Sequence, residues 1–417
     1  MDNSTGERDK YAEIERYAAR VRGCILGGAI GDALGWPVEF TSLPKILAQT
    51  GPKGVRGYLP MYATKADYLA SLQTDLSTPN EAKPVRNVYG HVTDDTQMTL
   101  FTMDGLIRAG VRLDKGIGFN TNLISLAYDR WLDTQQRQGP NPDRDDVYWI
   151  SQLGWLDQHH WLYVRRAPGN TCLRALKQAR KGKGAVPTEW NSWPAENNSK
   201  GCGGVMRVAP IGLVPYASDL RWAYDEGARA ASYTHGHPTG QVASGALAAI
   251  VAGMVHHGQD LPTAVSTTLE ILEKVKHHEE TTEAIKAAVA LADNHRGKPE
   301  SIGVIEKLGQ GWIAEEALAM ALYAALRYPE PHQVLDALSV AVTHNGDSDS
   351  TGAICGNILG ALHGDSALPA ELVFRVEGRE TMLALADDFI YEFTQAGRLH
   401  DGGSKANTGW EQRYPPH

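Results

Sequence analysis

The sequence contains little cysteine and no apolar segment of membrane-spanning length. Its four cysteines lie far apart, without a Cys-x-x-Cys pair, which excludes a disulfide framework and a zinc finger. The segment 1–20 is charged and lacks the apolar centre of a signal peptide. The longest apolar segment, Ala243 to Val255, is shorter than the ~20 residues that a spanning helix needs. We therefore expect a cytoplasmic protein without a membrane partner.

Basic residues are outnumbered, with 40 Lys and Arg against 49 Asp and Glu and a net charge of −9. This balance argues against a nucleic-acid partner, whose binding protein normally presents a basic face. The chain has 417 residues and 42% hydrophobic residues, which is typical of a globular protein of one large or two ordinary domains. No linker divides it. We predict one domain over residues 11–398, with mobile ends at 1–10 and 399–417.

Strand patterns are also scarce, whereas apolar residues recur at helical spacing in many segments separated by Gly, Pro, Asn and Asp. The pattern predicts an all-α fold, a compact single-domain orthogonal globule of a dozen or more helices. Long polar stretches interrupt the helices at 41–92, 134–170 and 181–204. Loops of more than ~15 residues are usually functional or disordered, so we expect ligand-site loops here. Core packing is the favoured interpretation of the tryptophans in this region, and stacking on an adenine is the alternative; they include Trp131, Trp149, Trp155 and Trp161.

Two of the predicted helices carry glycine at every fourth position. The rows are Gly23, Gly27, Gly31 and Gly35, and Gly352, Gly356, Gly360 and Gly364. A glycine inside a helix costs ~1 kcal/mol relative to alanine, so such a row needs a structural reason. Residues four apart share one ridge, and a bare ridge permits very close helix approach. We predict that both helices pack tightly, and packing on each other would bring the end of the first near the start of the second.

Two acidic clusters stand at predicted helix starts, in VTDDTQ and in HNGDSDSTG. Helix caps and turns explain one or two of these residues. The pairing of two such clusters favours a cation site, because oxygen-only ligands suit Mg²⁺, Mn²⁺ or Ca²⁺ and disfavour zinc. Four carboxylates within reach could hold two divalent ions and would repel one another without them. The candidate ligands are Thr93, Asp94, Asp95, Asp347, Asp349 and Ser350.

A glycine-rich segment, SKGCGGVMRVAPIGL, precedes a further predicted helix. Exposed backbone N–H groups in such a segment suit phosphate oxygens. Lys200 or Arg207 can add positive charge there, although a structural ion pair is the favoured account of Arg207.

Three further residues have both a functional and a structural interpretation. His235 or His237 can contact a nucleotide or simply end a helix. Glu39 follows the first glycine-rich helix, where it can reach a site shared with Asp347 or lie on the surface.

Together these segments resemble the ADP-ribosylglycohydrolase family over residues 21 to about 364. The matching pieces are GCILGGAIGDALGWPVEF, VTDDTQMTLFT, KGCGGVMRVAPIGL, THGHPTGQVASGALAAIVAGM, GQGWIAEEALAMALYAAL and THNGDSDSTGAICGNILGALHG. The resemblance implies an all-α hydrolase with a dinuclear Mg²⁺ or Mn²⁺ centre. Its substrates would be ADP-ribosylated proteins, commonly on arginine, or small-molecule ADP-ribose conjugates.

The resemblance also implies roles for individual residues. The implied metal ligands are Thr93, Asp94, Asp95, Asp347, Asp349 and Ser350, and the implied catalytic carboxylates are Glu39, Asp95 and Asp349. The implied substrate contacts are Gly201, Cys202, Gly203, Gly204, Val205, Met206, His235, Gly311 and Trp312. Cys202 occupies a position that is asparagine in many relatives, and Ser350 one that is often threonine. The alternatives are a metal-dependent phosphohydrolase of a nucleotide diphosphate and a non-catalytic ADP-ribose-binding relative.

Overall fold

The fold is built from helices throughout the part of the chain that the computed structural model describes: residues 3–60, 90–140, 153–181, 195–298, 302–395 and 408–416. These residues form 15 α-helices and no β-strand, which confirms the predicted all-α class. The helices are α1 Asn3–Gly35, α2 Leu43–Thr50, α3 Asp94–Asp114, α4 Leu123–Thr134, α5 Asn170–Lys181, α6 Leu220–Ser232, α7 Pro238–His257, α8 Leu261–Leu272, α9 Glu279–His295, α10 Ala314–Arg327, α11 Val334–Val342, α12 Ser348–His363, α13 Ala370–Arg375, α14 Arg379–Gln395 and α15 Thr408–Arg413.

The two glycine rows pack against each other along α1 and α12. A Cβ added at Gly27 would overlap the carbonyl oxygen of Gly356, and Gly31 meets Gly352 in the same way. Because later residues of α1 face earlier residues of α12, the helices are antiparallel. The predicted close approach is therefore confirmed, and the end of α1 lies beside the start of α12. Gly364, the last of its row, is the C-cap of α12 with a φ of 81°, which favours glycine.

The centre of the core includes α7, an alanine-rich helix that follows the His237 N-cap. By length and composition α7 would suffice to cross a membrane, but 83% of its apolar window is buried inside the protein. Burial on all sides is typical of a core helix in a large globular domain.

Both segments expected to be mobile contain helix, and the C-terminal one also contacts the domain. Helix α1 already begins at Asn3. Near the other end, Trp410 donates a hydrogen bond to Glu392 over 2.9 Å, and Tyr414 is fully buried. Trp410, Arg413 and Tyr414 of the expected tail thus contact α14. The domain limits at 11 and 398, and the mobility of the remaining end residues, stay predictions.

The tryptophans that the structure describes in the polar region pack against the domain. Trp131 is fully buried and donates to Gln97 over 3.1 Å, and the Arg413 guanidinium lies 3.8 Å from the Trp155 ring centroid. Trp161 donates to the Thr381 hydroxyl over 3.1 Å. Core packing is thereby confirmed for Trp131, whereas Trp155 and Trp161 are partly buried and pack against the edge of the core. Trp149, together with the loop segments 61–89, 141–152 and 182–194, lies outside the described residues.

Candidate active site

The first acidic cluster is fixed by the start of α3. Thr93 is the N-cap and accepts a hydrogen bond from the Asp95 amide over 3.3 Å, while Asp94 and Asp95 occupy the first turn. A third aspartate, Asp32 on α1, accepts the backbone N–H groups of Thr93 over 3.0 Å and Thr96 over 3.1 Å. Asp32 therefore ties the start of α3 to α1. No motif in the sequence predicts this role, and the available signal was a lone aspartate inside a glycine-rich apolar helix.

The second cluster lies at the start of α12, where Asp347 is the N-cap and accepts from the Ser350 amide over 3.3 Å. Glu39 reaches the same place from α1, because a 3₁₀ turn containing Pro37 ends that helix directly beside the start of α12. The closest carboxylate oxygens of Glu39, Asp347 and Asp349 lie within 4.8 Å of one another. The expectation that Glu39 shares a site with Asp347 is confirmed.

The two clusters form a single acidic group. Burial raises the pKa of Asp95, and the charges of Asp32, Asp94 and Asp347 raise it further. Burial likewise raises the pKa of Asp349, with added effects from Glu39, Asp95 and Asp347. For Glu39, burial and then the Asp347 and Asp94 charges raise the pKa to about 8. Neighbouring carboxylates thus disfavour ionisation of Glu39, Asp95 and Asp349, as expected of like charges in a shared site.

These residues fit divalent cations. The ligand atoms on offer are oxygens, which Mg²⁺ and Mn²⁺ prefer. The Oδ1 atom of Asp95 is buried and has no hydrogen-bond partner among the described residues, so it lacks a compensating contact that a cation would supply. The Ser350 hydroxyl, at the start of α12, lies close enough to Asp95 to lower the pKa of that carboxyl, so the two clusters adjoin there. The Thr93 hydroxyl donates to Asp32 over 3.0 Å and accepts from the Asp95 amide, so it has protein partners without an ion. Metal ligation by the six predicted residues stays a prediction.

The glycine-rich segment lies directly against the acidic group. The Cys202 thiol lies 2.8 Å from an Asp347 carboxylate oxygen and 3.7 Å from the Ser350 hydroxyl. The Cys202 amide donates to the Trp312 carbonyl over 3.2 Å, and Gly201 forms a β-bridge with Ile313. The structure therefore brings together the predicted substrate-contact segments, which are Gly201, Cys202, Gly203, Gly204, Val205, Met206, Gly311 and Trp312.

The two basic residues of this segment have structural partners. Lys200 forms ion pairs with Glu315 over 2.8 Å and with Glu280 over 2.9 Å. Arg207 is fully buried, donates to the Thr234 hydroxyl over 2.7 Å and lies 4.1 Å from the Tyr128 ring centroid. The prediction that Arg207 forms an ion pair is therefore wrong for the part of the chain that the structure describes. Neutral acceptors and an aromatic face hold this guanidinium instead.

The histidines separate into two roles. His237 is the N-cap of α7 and accepts from the Thr239 amide over 3.2 Å, so its helix-end interpretation is confirmed. His235 is buried against the glycine segment, where a Cβ at Gly203 would come within 3.1 Å of its ring. The structure thus places the His235 ring beside Gly203 of the predicted phosphate loop, whereas the His237 ring caps α7.

An aromatic pair borders the acidic group, and only half of it was predicted. The rings of Phe40 and Trp312 stack with centroids 4.8 Å apart. Phe40 directly follows Glu39, is 73% exposed and has a φ of 60°, a conformation that non-glycine residues rarely adopt. Exposure and backbone strain are not readable from the sequence, so Phe40 gave no signal there.

Comparison with known proteins finds relatives along most of the chain. An uncharacterized protein of Archaeoglobus fulgidus is 27% identical over 376 residues, covering 89% of this chain and 96% of the relative. Mouse ADP-ribosylhydrolase ARH3 is 24% identical over 413 residues, covering 91% and 94%. The ADP-ribosylarginine hydrolase Tri1 of Serratia proteamaculans is 24% identical over 374 residues, covering 89% and 79%.

A solved structure of an ADP-ribosylglycohydrolase-related protein complex shares the fold, with a TM-score of 0.55 at 20% identity. The structural match covers 91% of this chain and 99% of the chain in that structure. The family model for ADP-ribosylglycohydrolase matches residues 13–399, nearly the whole chain. The chain therefore belongs to the ADP-ribosylglycohydrolase family, whose activity is the hydrolysis of ADP-ribosyl linkages.

Proposed function

We propose that the protein hydrolyses the glycosidic bond between ADP-ribose and the arginine side chain of a modified protein. The observation that carries the proposal is the convergence of Glu39, Asp347 and Asp349 with the buried pair Asp94 and Asp95. Such a group places several carboxyl groups where a glycosidic bond would develop positive charge at the anomeric carbon.

The catalytic carboxylates differ in accessibility, and this difference suggests their roles. Asp95 and Asp349 are buried, whereas Glu39 is partly exposed. Glu39 is therefore the carboxylate that an incoming water reaches, and we assign it as the general base. Asp95 and Asp349 would stabilise the oxocarbenium character of the transition state.

Two divalent cations, Mg²⁺ or Mn²⁺, are the proposed cofactors of this group. When bound, such ions supply positive charge that orients ribose hydroxyls and lowers the pKa of a water. The residues that would hold them are Thr93, Asp94, Asp95, Asp347, Asp349 and Ser350.

Arginine as the acceptor is supported by the name of the Serratia relative, an ADP-ribosylarginine hydrolase. The acidic surroundings of the site are consistent with a cationic acceptor, because like charges near a binding site disfavour an anionic one. A cytoplasmic location is part of the same proposal, since cytosolic proteins would supply the modified substrate.

The decisive assay uses peptides that carry ADP-ribose on arginine or on serine, with Mg²⁺, with Mn²⁺ or with a chelator. We expect release of free ADP-ribose from the arginine peptide, dependent on metal. Asp349→Asn should lower the rate at least ~100-fold, because even residues that only support metal ligands cost ~10–100-fold when changed. Asp225→Asn is the matched control, since Asp225 is an exposed aspartate on α6 paired with Arg221.

Two outcomes would overturn the proposal. Formation of AMP and ribose phosphate from ADP-ribose would identify the protein as a phosphohydrolase. Hydrolysis that continues without metal would contradict the proposal that the acidic group holds catalytic cations. A metal readout that does not need activity is thermal unfolding: Mn²⁺ should raise the midpoint for the wild type and not for Asp349→Asn, because only the folded site binds the ion.

A further inference from the structure

One edge of the buried His235 ring has no hydrogen-bond partner among the described residues. The residue is 2% exposed, and its Nε2 atom has no hydrogen-bond partner among the described residues. The ring edge that carries Nε2 faces the glycine segment, where a Cβ at Gly201 or Gly203 would lie 3.5 Å from that atom. The Nε2 atom therefore keeps an unused hydrogen-bonding position toward that segment, which makes this edge a candidate ligand contact.

The hydrogen bonds of Thr234 decide which nitrogen of His235 carries the proton. The Thr234 hydroxyl accepts from Arg207 over 2.7 Å and lies 2.8 Å from His235 Nδ1. A guanidinium can only donate, so the single hydroxyl proton remains for another acceptor. The Ala231 carbonyl is 3.5 Å away and already accepts two amides, from Thr234 over 3.0 Å and from His235 over 2.9 Å. The Cys172 sulfur also contacts the hydroxyl, but sulfur is a weak acceptor.

The hydroxyl proton of Thr234 therefore goes to His235 Nδ1. A neutral imidazole that accepts at Nδ1 must carry its own proton on Nε2. The ring is neutral because burial, followed by the nearby Arg207 charge, lowers the pKa of His235 to about 3. His235 thus presents an N–H donor to the glycine segment.

The donors on that side are those of an anion site. The amide N–H groups of Gly203 and Gly204 have no acceptor among the residues that the structure describes. Together with His235 they make three uncharged donors on one segment, which is suited to phosphate oxygens. We infer that Arg207 and Thr234 are positioning residues that hold His235 as the Nε2–H tautomer, so that it donates to a phosphate oxygen of the ADP-ribosyl ligand. The identity of that ligand rests on the function proposed above.

Arg207 serves this arrangement from a fixed place. Its second hydrogen bond, to the Ala230 carbonyl over 3.1 Å, and its contact with the Tyr128 ring hold the guanidinium still. A donor that cannot accept is what forces the Thr234 proton toward His235. Arg207, which has no carboxylate partner among the described residues, thus has a specific structural role.

The first test is the tautomer in the unmodified protein. Long-range ¹H–¹⁵N correlation spectra of protein labelled with ¹⁵N-histidine distinguish protonated Nε2 from protonated Nδ1, and loss of one signal set in His235→Gln assigns the residue. We expect the Nε2–H pattern for His235 at neutral pH. An Nδ1–H pattern would overturn the inference, and this spectrum needs no variant at Thr234 or Arg207.

The second test is ADP-ribose affinity measured by calorimetry. Thr234→Val removes the hydroxyl while keeping the shape, so it should mix the tautomers and weaken ADP-ribose binding ~10-fold. Thr234→Ser keeps the hydroxyl and should restore both the tautomer and the affinity. Thr268→Val is the matched control, because Thr268 is a fully buried threonine on α8, outside the site.

The two readouts separate the inference from the function it rests on. Unchanged affinity in Thr234→Val would overturn the positioning role. If the wild type shows the Nε2–H tautomer, and Thr234→Val loses it, but neither protein binds ADP-ribose, the positioning by Thr234 stands and the proposed function fails.

Discussion

The close contact between α1 and α12 makes an unusual prediction: Gly27→Ala should destabilise the protein although alanine is the better helix former. Replacing glycine by alanine inside a helix normally stabilises by ~1 kcal/mol. At Gly27 the new methyl group would overlap the Gly356 carbonyl oxygen, which is backbone and cannot rotate away. To reach ordinary contact at about 3.5 Å, the helices must separate locally by about 1 Å.

Overpacking of this kind costs ~1–3 kcal/mol, and a rigid backbone obstacle favours the upper end. With the propensity gain subtracted, we expect a net loss of about 2 kcal/mol in the free energy of unfolding. For a chain of 417 residues this corresponds to a lower thermal midpoint by roughly 2 °C, because the unfolding entropy scales with chain length. Thermal and urea unfolding with metal chelated would measure it.

The matched control is Gly240→Ala, near the start of α7. Its nearest non-bonded atom would be Lys200 Cα at 3.4 Å, an ordinary contact, so the usual helix stabilisation should apply. A midpoint that rises in Gly27→Ala as it does in Gly240→Ala would refute the described packing of α1 on α12.

Two further predictions concern other buried carboxylates. Asp32→Ala should lower the free energy of unfolding by at least ~3 kcal/mol, because it leaves the Thr93 and Thr96 amides without their acceptor at the start of α3; urea unfolding measures this, and a loss below 1 kcal/mol would contradict it. Burial raises the pKa of Glu392 from 4.5 to about 8, so its folded state binds a proton that the unfolded state releases. The stability that Glu392 contributes is fully present below pH 4.5 and is lost as the pH rises to about 8, at no more than ~1.4 kcal/mol per pH unit. Glu392→Gln should therefore flatten the dependence of the free energy of unfolding on pH in this range. An unchanged slope would contradict the prediction.

Much of the candidate site was readable from sequence because its parts are local patterns. VTDDTQ and HNGDSDSTG each place carboxylates at a helix start, and a helix start fixes its own first turn. The glycine rows added the one long-range statement, since a ridge of glycines has a use only if another backbone lies against it. From that contact the proximity of Glu39 to Asp347 followed.

Other parts were not readable because they depend on what surrounds a residue. Asp32 has no local motif, and its role appears only when α3 begins beside it. Arg207 was expected to form an ion pair, but the fold surrounds it with a hydroxyl, a carbonyl and an aromatic ring. The stacking of Phe40 on Trp312 joins residues that are far apart in sequence.

The sequence by itself determined the helical class, the two acidic helix starts and the pairing of two glycine-ridged helices, because hydrophobic period, capping chemistry and glycine spacing act over a few residues. Only the tertiary structure decided that the acidic residues form one group, and that Thr234 and Arg207 set the proton on His235. Those outcomes depend on distances of a few ångströms between distant segments. Burial then sets the pKa values and hydrogen-bond roles on which the chemistry depends.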